Sequence, residues 1–416
     1  MTNKEHLMPK CRFCGTQIEH SFVDLGMSPL CQTHILPGEL NKYETFYPLH
    51  AFVCTECWLV QLDEFVSPEE IFSDYDYFSS FSSSWVEHAK KYSEKMAEEL
   101  ELNDSSLVVE IASNDGYLLQ HFVNTNIPVL GVEPAANVAD AAIEKGIRTT
   151  IQFFGERTAE SLKSEFGSAD LLLGNNVLAH VPNINDFVKG MKVLLSETGT
   201  ITMEFPHLLN LIQLNQFDTI YHEHFSYLSF FTVQKIFAHH GITLFDVEEI
   251  PTHGGSLRIY GKHDTDNSRD VSENVKNLID KEISFGINDL NIYKKYEEQV
   301  KETKRKLLTF LIEAKNADKT VVGYGAPGKG NTLLNYCAIR QDFLDYTVDL
   351  STQKQGKYTP GCRLPILNPD ILKETKPDYI LVLPWNLIDE ISKQHSYISE
   401  WGGKFVVPIP EVKIID

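Results

Sequence analysis

Long apolar runs are missing from this 416-residue chain. No segment reaches the roughly 18 consecutive apolar residues of a membrane-spanning helix, and the opening residues, MTNKEHLMPKCRFC, hold no apolar core of a secretory signal. The expectation is a cytoplasmic protein with no membrane partner. Basic residues are scarce as well: Lys and Arg number 37 against 58 Asp and Glu, a formal net charge of −21. A surface of that sign repels DNA, RNA and anionic membranes. No nucleic-acid partner is therefore expected, and a phosphate-bearing substrate has to be held by a local site against the overall field. Hydrophobic content of 42% and charged content of 23% are globular values. The length exceeds what one ordinary core fills, which predicts two or three domains.

Cysteines are few and odd in number, seven. Four of them form two pairs, Cys11 with Cys14 in CRFC and Cys54 with Cys57 in CTEC. In a reducing compartment that spacing reads as metal ligation before disulfides. Two short turns, each presenting two thiolates on one side, supply the tetrahedral set that zinc takes. With all four ligands from protein the ion is structural and staples a segment too small to hold a core alone. Four free thiols and a redox pair are the competing readings, the second weakened because no thioredoxin-like pattern surrounds the motif. The lone Cys31 lies between the pairs without an assigned role.

Downstream, SSLVVEIASNDGYLLQHF reads as strand, turn and helix: an apolar run ends in Glu110, a small polar loop holds Gly116, and a helix follows. A second apolar strand, PVLGVEP, ends at Glu133, where an acid accepts hydrogen bonds from both hydroxyls of a ribose. The loop keeps one glycine where dinucleotide sites prefer three. That favours an S-adenosylmethionine (SAM) site, which has no pyrophosphate to cradle. The alternation continues through GIRTTIQFF, ADLLLGNNVLAHVPN and GTITMEFPHL, predicting a doubly wound sheet with ligands at the carboxyl ends of its strands. Asn175, Asn176 and His180 stand beyond the fourth strand, Glu204 and His207 beyond the fifth. Each reads equally as a ligand contact or a local cap.

A second strand-to-helix turn, TVVGYGAPGKGNTLLNY, carries four glycines and Lys329, and Asp349 ends the strand after it. It is no Walker loop, because Gly330 and Asn331 follow the lysine where Ser or Thr is required. A phosphate-bearing ligand, a nicotinamide dinucleotide and a tight turn of structural glycines all remain open. Between the two turns lies DTIYHEHFSYLS, where His222 and His224 flank Glu223 and two tyrosines bracket the group. A metal pair, a packed junction and an acid–base site are its three readings.

In this order, CRFC with CTEC, VVEIASNDGYLL, GVEP, NVLAHVPN, TIYHEHFSYLS and GYGAPGKGNTLL resemble the sugar C-methyltransferases that act on nucleotide-linked keto-deoxysugars, over nearly the whole chain. The resemblance implies an α/β fold class in three parts: a zinc-binding module over 1–68, a Rossmann-like SAM methyltransferase domain over 69–250, and a second Rossmann-like α/β domain over 251–416 that helps hold the sugar nucleotide. It implies SAM contacts at Glu110, Gly116, Glu133 and Asn176, and sugar-nucleotide contacts at Lys329 and Asn331. Carbon attacks the methyl of SAM only as a carbanion or enolate, so the reaction needs a base for the proton alpha to a ketone. The resemblance implies His224 as that base, Glu223 as a carboxylate ordering the site, Tyr221 as a donor to the enolate oxygen, and Tyr75 and His180 lining the sugar. With the ketone at carbon 4, carbon 3 is the expected acceptor and carbon 5 stays open. The alternatives are an NAD(P)-dependent oxidoreductase using the C-terminal glycine loop, and a non-catalytic sugar-nucleotide-binding protein. A monomer is expected.

Overall fold

The computed structural model describes residues 9–72 and 78–415; Tyr75 lies outside them. The chain divides into two compact units, one of Met1–Glu19, Val53–Leu208 and Glu223–Asn288, the other of His20–Phe52, Leu209–His222 and Asp289–Asp416.

The first unit is built on β1 (Val108–Ile111), β2 (Val129–Val132), β3 (Thr149–Thr150), β4 (Ala169–Asn175), β5 (Leu195–Pro206), β6 (Ile242–Ile250) and β7 (Ser256–His263). They form one sheet in the order β6-β7-β5-β4-β1-β2-β3, with β7 antiparallel to both of its neighbours. All four residues of β1 are buried, the mark of a parallel strand covered on both faces. Tyr92 and Met96 of the helix Ser83–Glu99, and Leu119 and Phe122 of the helix after β1, pack with Val108 and Leu171 in one core. The order turns back at β1, so the crevice beyond the carboxyl ends of β1 and β4 is the switch point where such sheets hold ligands.

The two compact units cut across the boundaries expected at 68 and 250. A boundary at 250 cuts between β6 and β7, yet Ile250 pairs with Ser256 and β7 runs on to pair with β5, Leu257 opposite Phe205. Pro251–Gly255, which follows that boundary, is the turn of a hairpin whose two strands share a ladder. The segment 1–68 is likewise divided, its cysteine turns belonging to the first unit and His20–Phe52 to the second.

The second unit carries β8 (Val321–Tyr324), β9 (Thr347–Val348), β10 (Ile366–Leu367), β11 (Tyr379–Val382), β12 (Lys404–Val407) and β13 (Lys413–Ile415) in the order β10-β9-β8-β11-β12-β13. All pairs are parallel except β12 with β13. Here the switch point falls between β8 and β11. The helix Leu290–Asn316 packs in this unit through Tyr293, Tyr296, Val300, Leu307 and Leu311, a spacing of three and four that keeps one apolar face. No helix among the described residues is long and apolar enough to cross a membrane.

Candidate active site

The two cysteine turns are built alike. Gly15 N–H donates to Cys11 and Cys11 N–H to Thr16, while Trp58 N–H donates to Cys54 and Cys54 N–H to Leu59. The fifth residue of each turn needs a left-handed backbone, φ 76° at Gly15 and 67° at Trp58. The four sulfurs lie within 4.8 Å of one another, with Cys11–Cys57 at 3.4 Å and Cys14–Cys54 at 3.6 Å. A tetrahedron with zinc–sulfur bonds of about 2.3 Å has edges of about 3.8 Å, so the donor set fits zinc. Asn185 donates to the Phe13 carbonyl and Thr232 to the Cys57 carbonyl, which ties the turns to the helices Ile184–Leu194 and Phe230–His239 of the same unit.

At the switch point of the first sheet, the turn after β1 alternates through left-handed positions at Ala112, Asn114 and Gly116. A side chain at Gly116, φ 74°, would also meet Ile147 Cδ1 at 2.2 Å. Glu133, just past β2, accepts the Asn114 N–H on Oε2 and the Ala135 N–H on Oε1, both at 2.9 Å. Each oxygen retains a lone pair for a ligand hydroxyl. Glu110 differs. It is fully buried, and neither carboxylate oxygen has a protein partner among the described residues. Burial, then the charges of Glu133 and Asp115, push its carboxyl well above the ordinary carboxylate range. An unpartnered buried acid is costly unless a ligand supplies donors or positive charge. Across the crevice the Oδ1 atoms of Asn175 and Asn176 are likewise buried and unpartnered. These groups fit SAM, which brings hydroxyls, an ammonium and a sulfonium.

The other strand-end candidates are committed to protein. Glu204 accepts from Arg258 Nε at 2.7 Å and meets His88 Nε2 at 3.0 Å. His207 Nε2 lies 2.6 Å from Glu282, a fully buried pair whose carboxylate also takes the N–H groups of Phe230 and Phe231.

His180 and His224 come together in the first unit, ring centroids 4.7 Å apart at 75°. His180 is hydrogen-bonded to the Glu223 backbone, and burial lowers its pKa to about 4. Its Nδ1 has no partner among the described residues. The Glu223 bond therefore falls to Nε2 as a donor, and Nδ1 keeps a lone pair. Phe72 meets the His180 ring edge-on at 5.5 Å. Glu223 and His224 are both buried. His222 belongs to the second unit, where its Nε2 bonds the Pro48 carbonyl at 3.1 Å and Tyr47 packs edge-on. Tyr221 is half-buried in that unit.

In the turn after β8, Gly325 and Gly330 face Pro384 Cδ and Leu383 Cβ, which an added Cβ would meet at 2.6 and 2.9 Å. Ala326 N–H donates to Asp349 at 2.7 Å. Lys329 Nζ sits over the Trp385 ring at 4.6 Å and donates to Asn386 Oδ1. Asn331 is buried, and its Nδ2 is unpartnered among the described residues. It lines a small cavity with Cys31, Pro327, Leu334, Thr359 and Pro360. Sequence reasoning passed over Asp218, which accepts from Trp385 Nε1 at 2.7 Å; the only signal was an acid opening the His-Glu-His segment.

Family models match a zinc binding domain over residues 11–72, a methyltransferase domain over 85–247 and a C-methyltransferase C-terminal domain over 251–410. The chain is 35% identical over 410 residues to C-methyltransferase NovU of Streptomyces niveus, covering 98% of this chain and 96% of that one. Among solved structures, a SAM-dependent methyltransferase of Clostridium acetobutylicum is 12% identical, covering 43% of this chain and 92% of its own with a TM-score of 0.35. Magnesium protoporphyrin IX methyltransferase of Synechocystis, solved with bound SAH, is 14% identical, covering 42% of this chain and 82% of its own with a TM-score of 0.34.

Proposed function

The chain belongs to the C-methyltransferase family, and from that premise we propose that it methylates carbon 3 of a nucleotide-linked 4-keto deoxysugar, with His224 as the base that removes the proton alpha to the ketone. SAM, when bound, supplies the electrophilic methyl group. Glu110, Glu133, Gly116 and Asn176 hold it.

The observation that carries the reading is the His180–His224 pair. A neutral imidazole is able to take an activated proton alpha to a ketone. His180, held at about 4 by burial, stays neutral beside it, so a proton arriving on His224 meets no second positive charge. The Glu223 carbonyl takes the His180 N–H, which fixes the ring's orientation. Tyr221 donates to the developing enolate oxygen, and the loss of one such donor costs about 3 kcal/mol of barrier. Glu223 orders the polar groups around the sugar, and Tyr75 and His180 line it. Lys329 and Asn331 hold the nucleotide-linked part.

The test is incubation with methyl-labelled SAM and a panel of 4-keto-6-deoxy sugar nucleotides, the labelled carbon being located by NMR. His224→Asn should bind both ligands yet lose turnover, and the parent should exchange the alpha proton in deuterated water without SAM. Methylation by His224→Asn at the parent's rate would send the search for the base to His180 and Tyr75. Nicotinamide-dependent absorbance change without methyl transfer would favour the oxidoreductase, and binding without turnover a non-catalytic protein.

A further inference from the structure

Asp218, at the head of the segment that leads to Tyr221 and His224, has no task in the reaction as described. It sits in the turn Phe217–Thr219 of the second unit with its side chain fully buried. Oδ2 accepts the Trp385 indole N–H at 2.7 Å, while Oδ1 has no exposed surface and no partner among the described residues. The face of that same indole carries the Lys329 ammonium at 4.6 Å. Thr332 donates to the Ile220 carbonyl at 2.9 Å, fastening the Asp218 turn to the helix that begins with Gly328 and Lys329. Acid, indole and ammonium thus form one layer beyond the carboxyl ends of β8 and β11.

The spacing has an electrostatic consequence. In a direct ion pair the carboxylate would occupy donors of the ammonium. With the indole between them, the acid's field reaches Lys329 while Nζ spends one N–H on Asn386 and keeps the others for a ligand. Burial lowers the pKa of Lys329, and Asp218 is the charge that raises it again. Burial pushes Asp218 up to about 6, and Lys329 is the first group that pulls it back. Asp218 also acts, after burial and larger effects of other charges, to raise the pKa of the buried Cys337 thiol. A lysine that grips an anion must keep its proton, and a desolvated lysine gives it up readily.

We propose that Asp218 is a positioning residue for the anionic part of the substrate: across the Trp385 indole it keeps Lys329 charged and in place, so that the turn after β8 takes the diphosphate of a nucleotide-linked sugar. The inference rests on the assignment of Lys329 to the substrate.

The probes are thymidine-, uridine- and guanosine-diphosphoglucose, whose diphosphate diesters keep their charge throughout the range, titrated into the full chain by calorimetry from pH 6.5 to 9.5. The parent's affinity should fall only at the alkaline end. Asp218→Asn keeps the acceptor for Trp385 and removes the charge, so the pH at which affinity falls should move down. At pH values above the limb of both proteins, each unit of that movement weakens binding by up to about tenfold relative to the parent, and by less at lower pH. Asp218→Glu should restore the parent's profile, and Asp218→Ser serves as a second neutral variant should Asp218→Asn not fold. An alkaline limb unmoved in the neutral variants, or an equal loss at every pH, overturns the role of Asp218 and leaves Lys329 as a ligand. Lys329→Ala binding the probes as well as the parent, or no probe binding to the parent, overturns the anion site itself.

Discussion

Glu110 and Glu133 occupy the same crevice and make opposite demands on the fold. Glu133 pairs two backbone N–H groups, so it stabilises the turn before any ligand arrives. Glu110 is a desolvated acid without a partner among the described residues, and the ligand-free protein carries that cost. Glu110→Gln should therefore leave the ligand-free melting temperature unchanged or higher. The same change should weaken SAM binding by about tenfold to a hundredfold, the worth of a charge-assisted contact of about 1.5–3 kcal/mol. Calorimetry and a thermal melt together check it, and a lower melting temperature with unchanged SAM affinity would make Glu110 structural. His180 gives a pH dependence. Its folded pKa of about 4 lies below the unfolded value of about 6.5. Both states are neutral above that, but between about 6.5 and 4 the unfolded chain takes up a proton that the folded chain refuses. Stability is lost as pH falls through this window, by at most about 3 kcal/mol. His222, also lowered by burial, acts in the same direction. Denaturation midpoints of His180→Asn should show a shallower loss between pH 6.5 and 4 than the parent.

At the scale of the element, the two strand-to-helix turns depend on glycine for geometry and for packing. Gly116 combines φ 74° with a Cβ position 2.2 Å from Ile147 Cδ1, so Gly116→Ala meets backbone strain of about 1 kcal/mol and forces the Ile147 side chain, just past the helix Ala136–Glu144, to give way. The expected outcome is a lower melting temperature and weaker SAM binding with unchanged metal content. A variant with unaltered SAM affinity would show that the turn does not shape the site. The cysteine turns repeat a hydrogen-bond pattern that the CxxC spacing announces, but Trp58 holds a left-handed position where its counterpart is Gly15. The long helix Leu290–Asn316 and the capped helices at Ser82, Asn183 and Ser229 follow from apolar spacing and local caps.

For the whole molecule, the zinc turns bear on more than their own segment, because their carbonyls are bonded by Asn185 and Thr232 of the methyltransferase unit. Metal binding of this kind is folding energy. Cys11→Ser or Cys54→Ser should lose the metal and lower the melting temperature, and a chelator should do the same to the parent. Because the turns belong to the same compact unit, SAM affinity should fall with metal content. Metal analysis finding no zinc in the native protein, or a double Cys→Ser variant as stable as the parent, would remove the structural role.

What the sequence by itself determined was local: two pairs of thiols at turn spacing, a strand ending in Glu110 before a glycine turn, an acid at the tip of the next strand, and a second such turn at Lys329. These depend on neighbours within a few residues, where φ restrictions, caps and apolar periodicity act. The tertiary structure alone decided which polar groups were left for a ligand. Nothing around Glu204 or His207 in sequence announces Arg258 and Glu282 as their partners, across 54 and 75 residues. Nor does Glu110 itself signal that it would have none. Asp218 was hidden for the same reason, since its donor Trp385 lies 167 residues away. The domain boundary expected at 250 falls beside the hairpin turn Pro251–Gly255. Only the ladder between β7 and β5 assigns that stretch to the first unit, since strand pairing is set by the partner's edge and by the face it buries rather than by the residues of the turn.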